Sequence, residues 1–288
     1  MANAITTITK YLPYLDQVYA YTSRSAVLDS PAEMVRQTED AKTVLVAKTS
    51  MTGLGDYDRN SGFKNGDVSL TWESHTLTKD RGRSFMIDAM DNVETLGTAF
   101  GTLASEFIRT KVVPELDAYR FATYATKSGH SVTGATLTGA DVVEAIDEGM
   151  TAMKEAEIDL TGSFLFATPT LITAIKQSDK FSRSLDPGQS PNRNMGSYDE
   201  LTLVEVPQTR FHTSVTLGED GFVAGGKEIN FMIVQPAAVL QIMKHAKLRV
   251  FDPDTNQQAD AYKVDYRVYH DAWVLDNKVK GIYAHTKA

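Results

Sequence analysis

The chain has 288 residues, of which 42% are hydrophobic and 23% charged, with no cysteine and a net charge of −8. This length predicts one large or two modest domains that bury about three quarters of the unfolded surface. The ordinary apolar content excludes disorder as the main state. The lack of cysteine excludes disulfides and thiolate metal sites, and no apolar run approaches the ~18 residues of a membrane span.

Residues 1–41 are predicted to form an irregular arm. The arm contains many aromatic and aliphatic side chains around Pro13, and these need a surface on which to be buried. Either the core of the chain itself or a neighbouring subunit can provide that surface. The residues concerned are Tyr11, Leu12, Tyr14, Leu15, Val18, Tyr19 and Tyr21.

A long two-stranded hairpin is predicted for residues 42–90. Val68, Leu70 and Trp72 alternate with polar residues, which is the period of a half-buried strand. Residues 53–67 contain four glycines and several Asp and Asn residues, so they are predicted to form the loop at its tip. Because an isolated hairpin of this length is marginally stable, we expect it to lie on another surface.

The return strand of this hairpin is predicted to continue through a basic patch formed by Lys79, Arg81 and Arg83. We expect the patch to contact an acidic surface of another subunit, because it would lie on the protruding hairpin. Nucleic acid is the alternative partner for these side chains.

Residues 91–126 are predicted to form one long helix. Asp91 and Glu94 have the spacing of a capping box, and apolar residues recur behind them every three to four positions. Pro114 is predicted to kink this helix, because proline has no N–H to donate. A rod of roughly 50 Å suits a structural spine.

Residues 128–243 are predicted to alternate between helices and strands. A helix with Val142, Ile146, Met150 and Met153 on one face precedes a buried strand at residues 164–167, and a short helix is predicted to start at Pro236. This segment contains 15 acidic and 7 basic side chains, so it accounts for the whole net charge. A uniformly basic nucleic-acid-binding protein is therefore excluded.

Residues 244–288 are predicted to return to strands. No internal repeat occurs in the chain, and no low-complexity linker separates two independent domains.

Three motifs that would indicate a binding or active site are incomplete. Residues 221–227 match the start of a phosphate loop, but Glu228 replaces the Ser or Thr that would contact Mg²⁺. Two stretches, residues 56–67 and 252–260, have carboxylate spacing similar to a calcium loop without its glycine and final glutamate. No two of the six histidines have metal-ligand spacing on one helix. The sequence therefore predicts no catalytic residue, no metal site, no cofactor and no enzymatic activity.

The order of these elements, together with several local strings, resembles the major capsid protein of tailed bacteriophages, which has the Hong Kong 97-like fold. The similarity is to capsid proteins from phages and prophages of Gram-positive bacteria. The strings are residues 53–63 (GLGDYDRNSGF), 68–73 (VSLTWE), 78–85 (TKDRGRSF), 88–91 (DAMD) and 106–120 (EFIRTKVVPELDAYR).

This resemblance implies an α+β fold with four parts. They are an N-terminal arm at 1–41, an extended loop at 42–90, a peripheral domain at 91–128 and 244–288 with the spine helix, and an axial domain at 129–243. It also implies pentamers and hexamers that form an icosahedral shell, assembled in the host cytoplasm and found in the virion. The implied partners are other copies of the chain, a separate scaffolding protein, a portal and packaged double-stranded DNA held by non-specific contacts, with no membrane.

In such a shell the extended loop would lie over a neighbouring subunit. The side chains predicted to make this contact are Asp56, Tyr57, Arg59, Phe63, Lys64, Trp72, Lys79, Arg81 and Arg83. Some members of the family cross-link a loop lysine to an asparagine, but no motif around Lys64 matches, so that chemistry is not inferred here.

Two other functions stay open on the sequence. An encapsulin-like nanocompartment shell resembles the same fold but encloses enzymes. A soluble α/β enzyme would use carboxylates of the acidic middle segment and would need a pocket with perturbed titratable groups.

Overall fold

The computed structural model describes residues 23–30, 36–37, 43–60, 62–90, 105–134, 137, 140–177 and 196–288. The aromatic cluster of the arm and the capping box at Asp91 lie outside these residues. Within the described residues, strands dominate and a few helices pack on them, which makes the fold α+β. No described helix is both long and apolar enough to cross a membrane.

The strands form three sheets. The first is antiparallel in the order β1–β2–β3, with strands Arg36–Gln37, Thr43–Met51 and Val68–Thr76. The second is mixed, in the order β5–β13–β10–β6–β8–β7 with β9 on β10; its strands are His130–Gly134 (β5), Phe164–Ala167 (β6), Ser197–Tyr198 (β7), Leu201–Glu205 (β8), His212–Gly218 (β9), Gly221–Val234 (β10) and Ile282–Lys287 (β13). The third is antiparallel in the order β11–β12–β4, with strands Val239–Phe251, Ala261–Val274 and Lys79–Asp88.

Among the described residues, three α-helices pack against these sheets: α1 (Val113–Thr126), α2 (Ala140–Glu155) and α3 (Pro169–Gln177). Short 3₁₀ turns lie at Ala26–Leu28, Gln208–Arg210, Pro236–Ala238 and Asp276–Gly281. The predicted amphipathic face of α2 is confirmed, because Val142, Ile146, Met150 and Met153 are all buried.

The seven-stranded sheet has a core on both faces. Along β10, Phe231 and Ile233 pack with α2 and α3, whereas Met232 and Val234 point to the opposite face and pack with α1. The predicted buried strand at residues 164–167 is confirmed as β6, which pairs with β10.

Helix α1 connects the second and third sheets. Near its start, Val113 and Leu116 are buried against β11 and β12. Near its end, Phe121 and Tyr124 are buried against the seven-stranded sheet. One helix therefore supplies core side chains to both sheets.

Pro114 lies at the start of α1, directly after a π-helical segment, Ile108–Val112. The N–H of Val113 donates to the carbonyl of Ile108, five residues back. This wider turn suits the site, because proline cannot donate the next α-helical hydrogen bond. Residues 105–126 are helical as predicted. The proposed bend at Pro114 stays a prediction, because residues 91–104 of the rod lie outside the described residues.

The hairpin is shorter than the sequence predicted. Its two strands pair from Thr43 with Thr76 to Met51 with Val68, and the chain then crosses to another sheet, where β4 pairs with β12. Leu77 is buried at this crossing, which ends the exposed alternation. The segment that was predicted to be one return strand as far as Ile87 is thus two strands, β3 in the first sheet and β4 in the third sheet.

Two further predictions differ from the structure. Pro236 starts only a 3₁₀ turn of three residues, and β11 begins directly after it, where a helix to about Met243 was predicted. The last strand, β13, pairs with β10 and β5 in the seven-stranded sheet. Residues 244–288 were assigned together to the peripheral domain, whose other strands lie in the third sheet. Five of the six residues of β13 are buried, which suits a strand in the interior of a sheet.

Candidate inter-subunit surface

Exposed apolar side chains are concentrated on the hairpin formed by β2 and β3. Among the described residues, seven of the twelve exposed large hydrophobic side chains lie between positions 51 and 72. We call these seven the apolar hairpin surface: Met51, Leu54, Tyr57, Phe63, Val68, Leu70 and Trp72. A concentration of large exposed apolar side chains of this kind indicates an interaction site in a soluble protein.

The strand predicted at Val68, Leu70 and Trp72 is confirmed as β3, but its predicted half-burial is not, because no described part of the chain covers the face that carries these three side chains. The three side chains share one face of β3 and keep 73%, 59% and 47% of their surface exposed. The outer edge of β3 also has no strand paired with it among the described residues. A strand with an open edge and an open apolar face invites pairing with another chain.

The tip of the hairpin is held by local contacts. Asp58 and Gly62 exchange backbone hydrogen bonds, and the Asn60 N–H donates to Asp58 Oδ1 at 2.9 Å. The rings of Tyr57 and Phe63 lie 4.9 Å apart across the turn. Gly62 has a φ of +78°, a conformation that favours glycine. These contacts give the tip a shape of its own without burying its apolar groups.

The predicted tip residues Asp56, Arg59 and Lys64 are exposed beside this turn. The described residues contain no group of three or more His, Asp or Glu side chains that could hold a metal ion. The predicted contact of Asp56, Arg59 and Lys64 with another subunit stays a prediction.

The basic patch lies elsewhere than predicted. Lys79, Arg81 and Arg83 are on β4 of the third sheet, not on the protruding hairpin, and each of them meets groups of the same chain. Arg81 Nε donates to Glu115 Oε1 at 2.7 Å. Arg83 Nη1 donates to the carbonyl of Glu219 at 2.9 Å, and Lys79 Nζ lies 5.3 Å from the ring centroid of Tyr119. These side chains share the strand face that looks toward α1, which is why their partners are internal.

The base of the hairpin is fixed by a buried carboxylate that sequence reasoning did not identify. Asp271 on β12 is 2% exposed and accepts hydrogen bonds from the Thr78 N–H at 2.8 Å and the Tyr119 hydroxyl at 2.6 Å. Burial, and then the hydrogen bond to Asp271, raise the pKa of Tyr119 above its usual value. Thr78 is one of the two residues between β3 and β4, so Asp271 holds the point where the hairpin leaves the third sheet.

His270 is buried beside this carboxylate. Burial lowers the pKa of His270 to about 3, with further lowering by the positive charges of Arg120, Lys79 and Arg81. In the folded chain the ring is therefore neutral over the physiological pH range.

We expect His270 to make the fold sensitive to acid. Above pH ~6.5 the ring is neutral in both states, so its contribution to stability is constant. Below that pH His270 is protonated in the unfolded chain but stays neutral in the folded chain until about pH 3. The free energy of unfolding therefore falls across this window, by up to roughly 4 kcal/mol. His270→Phe should reduce the fall of the melting temperature between neutral pH and pH ~4. His245→Phe, at an exposed position of the neighbouring strand, is the matched control, and equal effects of the two changes would contradict the assignment.

Comparison with known proteins bears on both fold and family. The sequence model of a family described as "Phage capsid protein" matches residues 67–282. No curated protein matches the sequence.

Several solved structures have the same fold. A structure from Mycobacterium phage Che8 has a TM-score of 0.64 at 15% identity, over 85% of each chain. The head structure of Helicobacter pylori bacteriophage KHP40 has a TM-score of 0.61 at 12% identity, over 92% of this chain and 90% of that one. A virus-like particle from Pyrococcus furiosus has a TM-score of 0.51 at 9% identity, over 96% and 99%. The fold is thus of the Hong Kong 97-like type that the sequence resemblance implied.

Proposed function

Since the chain belongs to the phage capsid protein family, we propose that its copies form pentamers and hexamers that close into an icosahedral phage head around double-stranded DNA. Membership of this family makes the chain a structural protein of a capsid shell rather than an enzyme. The place of such a protein is the virion, and we propose that the shell assembles in the cytoplasm of a host bacterium.

The observation that supports the proposed assembly best is the apolar hairpin surface. Phe63 is 88% exposed at the tip and Val68 is 73% exposed on the strand, and no described part of the chain covers these two side chains. Burial of such side chains stabilises an interface by about 25 cal/mol per Å² of apolar surface removed from water. In a shell of identical subunits, the surface that covers the hairpin belongs to a neighbouring copy.

We propose the following division of the chain in the shell. Residues 1–41 form an arm, and β2 and β3 form the extended loop. The third sheet, with β4 and the start of α1, forms the peripheral domain. The seven-stranded sheet, with α2, α3 and β13, forms the axial domain.

The other partners are proposed from the family alone. They are a separate scaffolding protein, a portal, and packaged DNA that the shell contacts without reading its sequence. A net charge of −8 on each subunit suits a container that does not grip its polyanionic contents.

An encapsulin-like nanocompartment is the second candidate, favoured by the similarity to the Pyrococcus furiosus virus-like particle. The phage head is preferred because the family match is to phage capsid proteins and covers residues 67–282.

Negative-stain microscopy and size-exclusion chromatography of the purified chain test the proposal. We expect closed particles far larger than one subunit, because the exposed hairpin favours association. A monodisperse monomer under all assembly conditions would contradict the shell. Particles made in the native host should contain nuclease-protected DNA; a protein cargo in its place would instead support the nanocompartment.

A further inference from the structure

The hairpin formed by β9 and β10 reaches from the seven-stranded sheet to the third sheet. Its tip, at residues 218–221, meets β4 and the start of α1. Helix α1 contributes side chains to both sheets. The tip is a further connection, because side chains of β4 in the third sheet bind backbone of the seven-stranded sheet there.

Arg81 joins three elements at this point. Its Nε and Nη2 donate to the two carboxylate oxygens of Glu115 on α1, at 2.7 and 3.2 Å. Nη2 also donates to the carbonyl of Gly218 at 2.7 Å. The planar guanidinium suits this task, because it presents several donors in a fixed geometry that a lysine lacks.

Arg81 is also the better shielded of the two arginines. The Arg81 side chain is 28% exposed and that of Glu115 is 13% exposed. The nearby pair between Arg83 and Asp220 is far more open, with side chains 50% and 94% exposed. Because solvent screens an exposed pair, Arg83 contributes less than Arg81 to holding the tip.

Apolar packing under the tip is incomplete. A cavity of about 480 Å³ lies between β4, the helix and the hairpin, and Phe85, Phe107, Phe222 and Tyr266 are among the residues that line it. Among the described residues, hydrogen bonds from Arg81 and Arg83 therefore hold the tip across this cavity.

The position of the tip is coupled to the seven-stranded sheet through β10. This strand spans Gly221 to Val234, with register shifts between Gly225 and Glu228 and between Ile229 and Phe231, and its residues 229–234 are buried in the centre of that sheet. Moving the tip relative to β4 therefore requires the sheet to turn or the strand to bend.

We propose that Arg81 is a clamp within the subunit that fixes the angle between the seven-stranded sheet and the third sheet, and thereby the curvature of the shell. The part about curvature rests on the proposed shell function. The part about the angle does not, because it concerns contacts within one chain.

The chain has no cysteine, which permits site-specific labelling. Spin labels at Glu219→Cys on the tip and Lys111→Cys on the helix report the distance across the cavity. Labelled chains are diluted into an excess of unlabelled chains, so that only distances within one subunit are measured. The particle diameters of the same preparations are measured by electron microscopy.

Arg81→Ala is expected to replace one narrow distance peak by a broad distribution and to widen the range of particle diameters. Arg81→Lys keeps the positive charge but loses the planar set of N–H donors, so it should change both measurements in the same direction. It replaces Arg81→Ala as the test if the alanine variant does not fold. Arg267→Ala is the matched control: Arg267 makes a two-point pair with Asp80 at 2.8 and 2.5 Å on the same strands, yet contacts no group of the hairpin tip. This control should leave both measurements unchanged.

An unchanged distance peak in the Arg81 variants would overturn the clamp. A broadened peak with unchanged diameters would overturn its role in curvature. If the chain forms no shell at all, the shell proposal fails, while the distance measurement still decides whether Arg81 holds the tip.

Discussion

Deletion of residues 54–65 is expected to abolish shell assembly while leaving the subunit folded. This segment is the tip of the hairpin, and its side chains are exposed. The flanking residues already close the hairpin, because the Thr52 N–H donates to the Asp67 carbonyl at 3.1 Å and the Asp67 N–H donates to Thr52 Oγ1 at 2.9 Å. The deletion leaves Gly53 and Gly66 as a two-residue turn, which suits a tight hairpin.

The melting temperature of the deletion variant should stay close to that of the full chain, because no core residue is removed. Particle yield, measured by sedimentation and microscopy, should fall to background. A gentler change tests the same surface: Phe63→Ser with Leu70→Ser should lower the yield, whereas Val223→Ser, at an exposed valine 69% accessible on another hairpin, should not. Normal shells from the deletion variant would remove the hairpin from the assembly contacts.

Asp117→Ala is expected to destabilise the subunit more than any surface change. Asp117 on α1 is fully buried and accepts hydrogen bonds from the hydroxyls of Ser23 and Ser25, both at 2.7 Å. It also accepts from the Arg24 N–H at 2.9 Å and pairs with Arg210 at 3.2 Å. Removing one member of a buried charged network costs about 3–5 kcal/mol, because its partners lose their compensation without regaining water.

The same network includes Arg120, which is fully buried and donates to Ser25 Oγ at 2.9 Å. Without Asp117, this guanidinium would keep a positive charge in the interior with a weaker counter-charge. We therefore expect residues 23–30 to detach from α1 in the variant, in addition to the loss of global stability.

Chemical unfolding of unassembled subunits measures this effect. Asp117→Asn, which keeps an acceptor but loses the charge, should fall between the wild type and the alanine variant. Asp254→Ala, at an exposed position of a turn, is the surface control and should change the free energy of unfolding by at most ~0.5 kcal/mol. If Asp117→Ala lowers the free energy of unfolding by less than about 1 kcal/mol, water can replace the hydrogen bonds of Asp117 and the prediction is wrong.

Local periodicity predicted the elements whose burial depends on their own side chains. The apolar face of α2 and the buried strand β6 follow directly from the spacing of residues such as Ile146 and Phe166. Alternation likewise predicted the strand at Val68 and Trp72, but the half-burial that it indicated does not occur within the described residues, where both side chains are exposed. The marginal stability of a long hairpin predicted that it needs another surface to lie on.

The predicted contacts of Arg81 and Arg83 differ from the structure for a different reason. Strand alternation is the same for a strand that extends a hairpin and for one that joins a distant sheet. The partners that distinguish these cases, Gly218 and Asp220, lie more than 130 residues further along the chain. The sequence around β4 does not indicate that pairing. The inference that these arginines face another subunit therefore started from a wrong location, the protruding hairpin.

Periodicity in the sequence was sufficient to place α2, β3 and β6, and the lack of cysteine excluded disulfides. The resemblance to a known family implied the α+β class and the kind of fold. The tertiary structure alone decided which sheet each strand joins, that Asp117 and Asp271 are buried acceptors, and that Arg81 bridges two sheets. The physical reason is that a periodic pattern specifies which face of an element avoids water but not what covers that face. A buried carboxylate or a bridging guanidinium is recognised only when the donors and acceptors around it, brought from distant parts of the chain, are known.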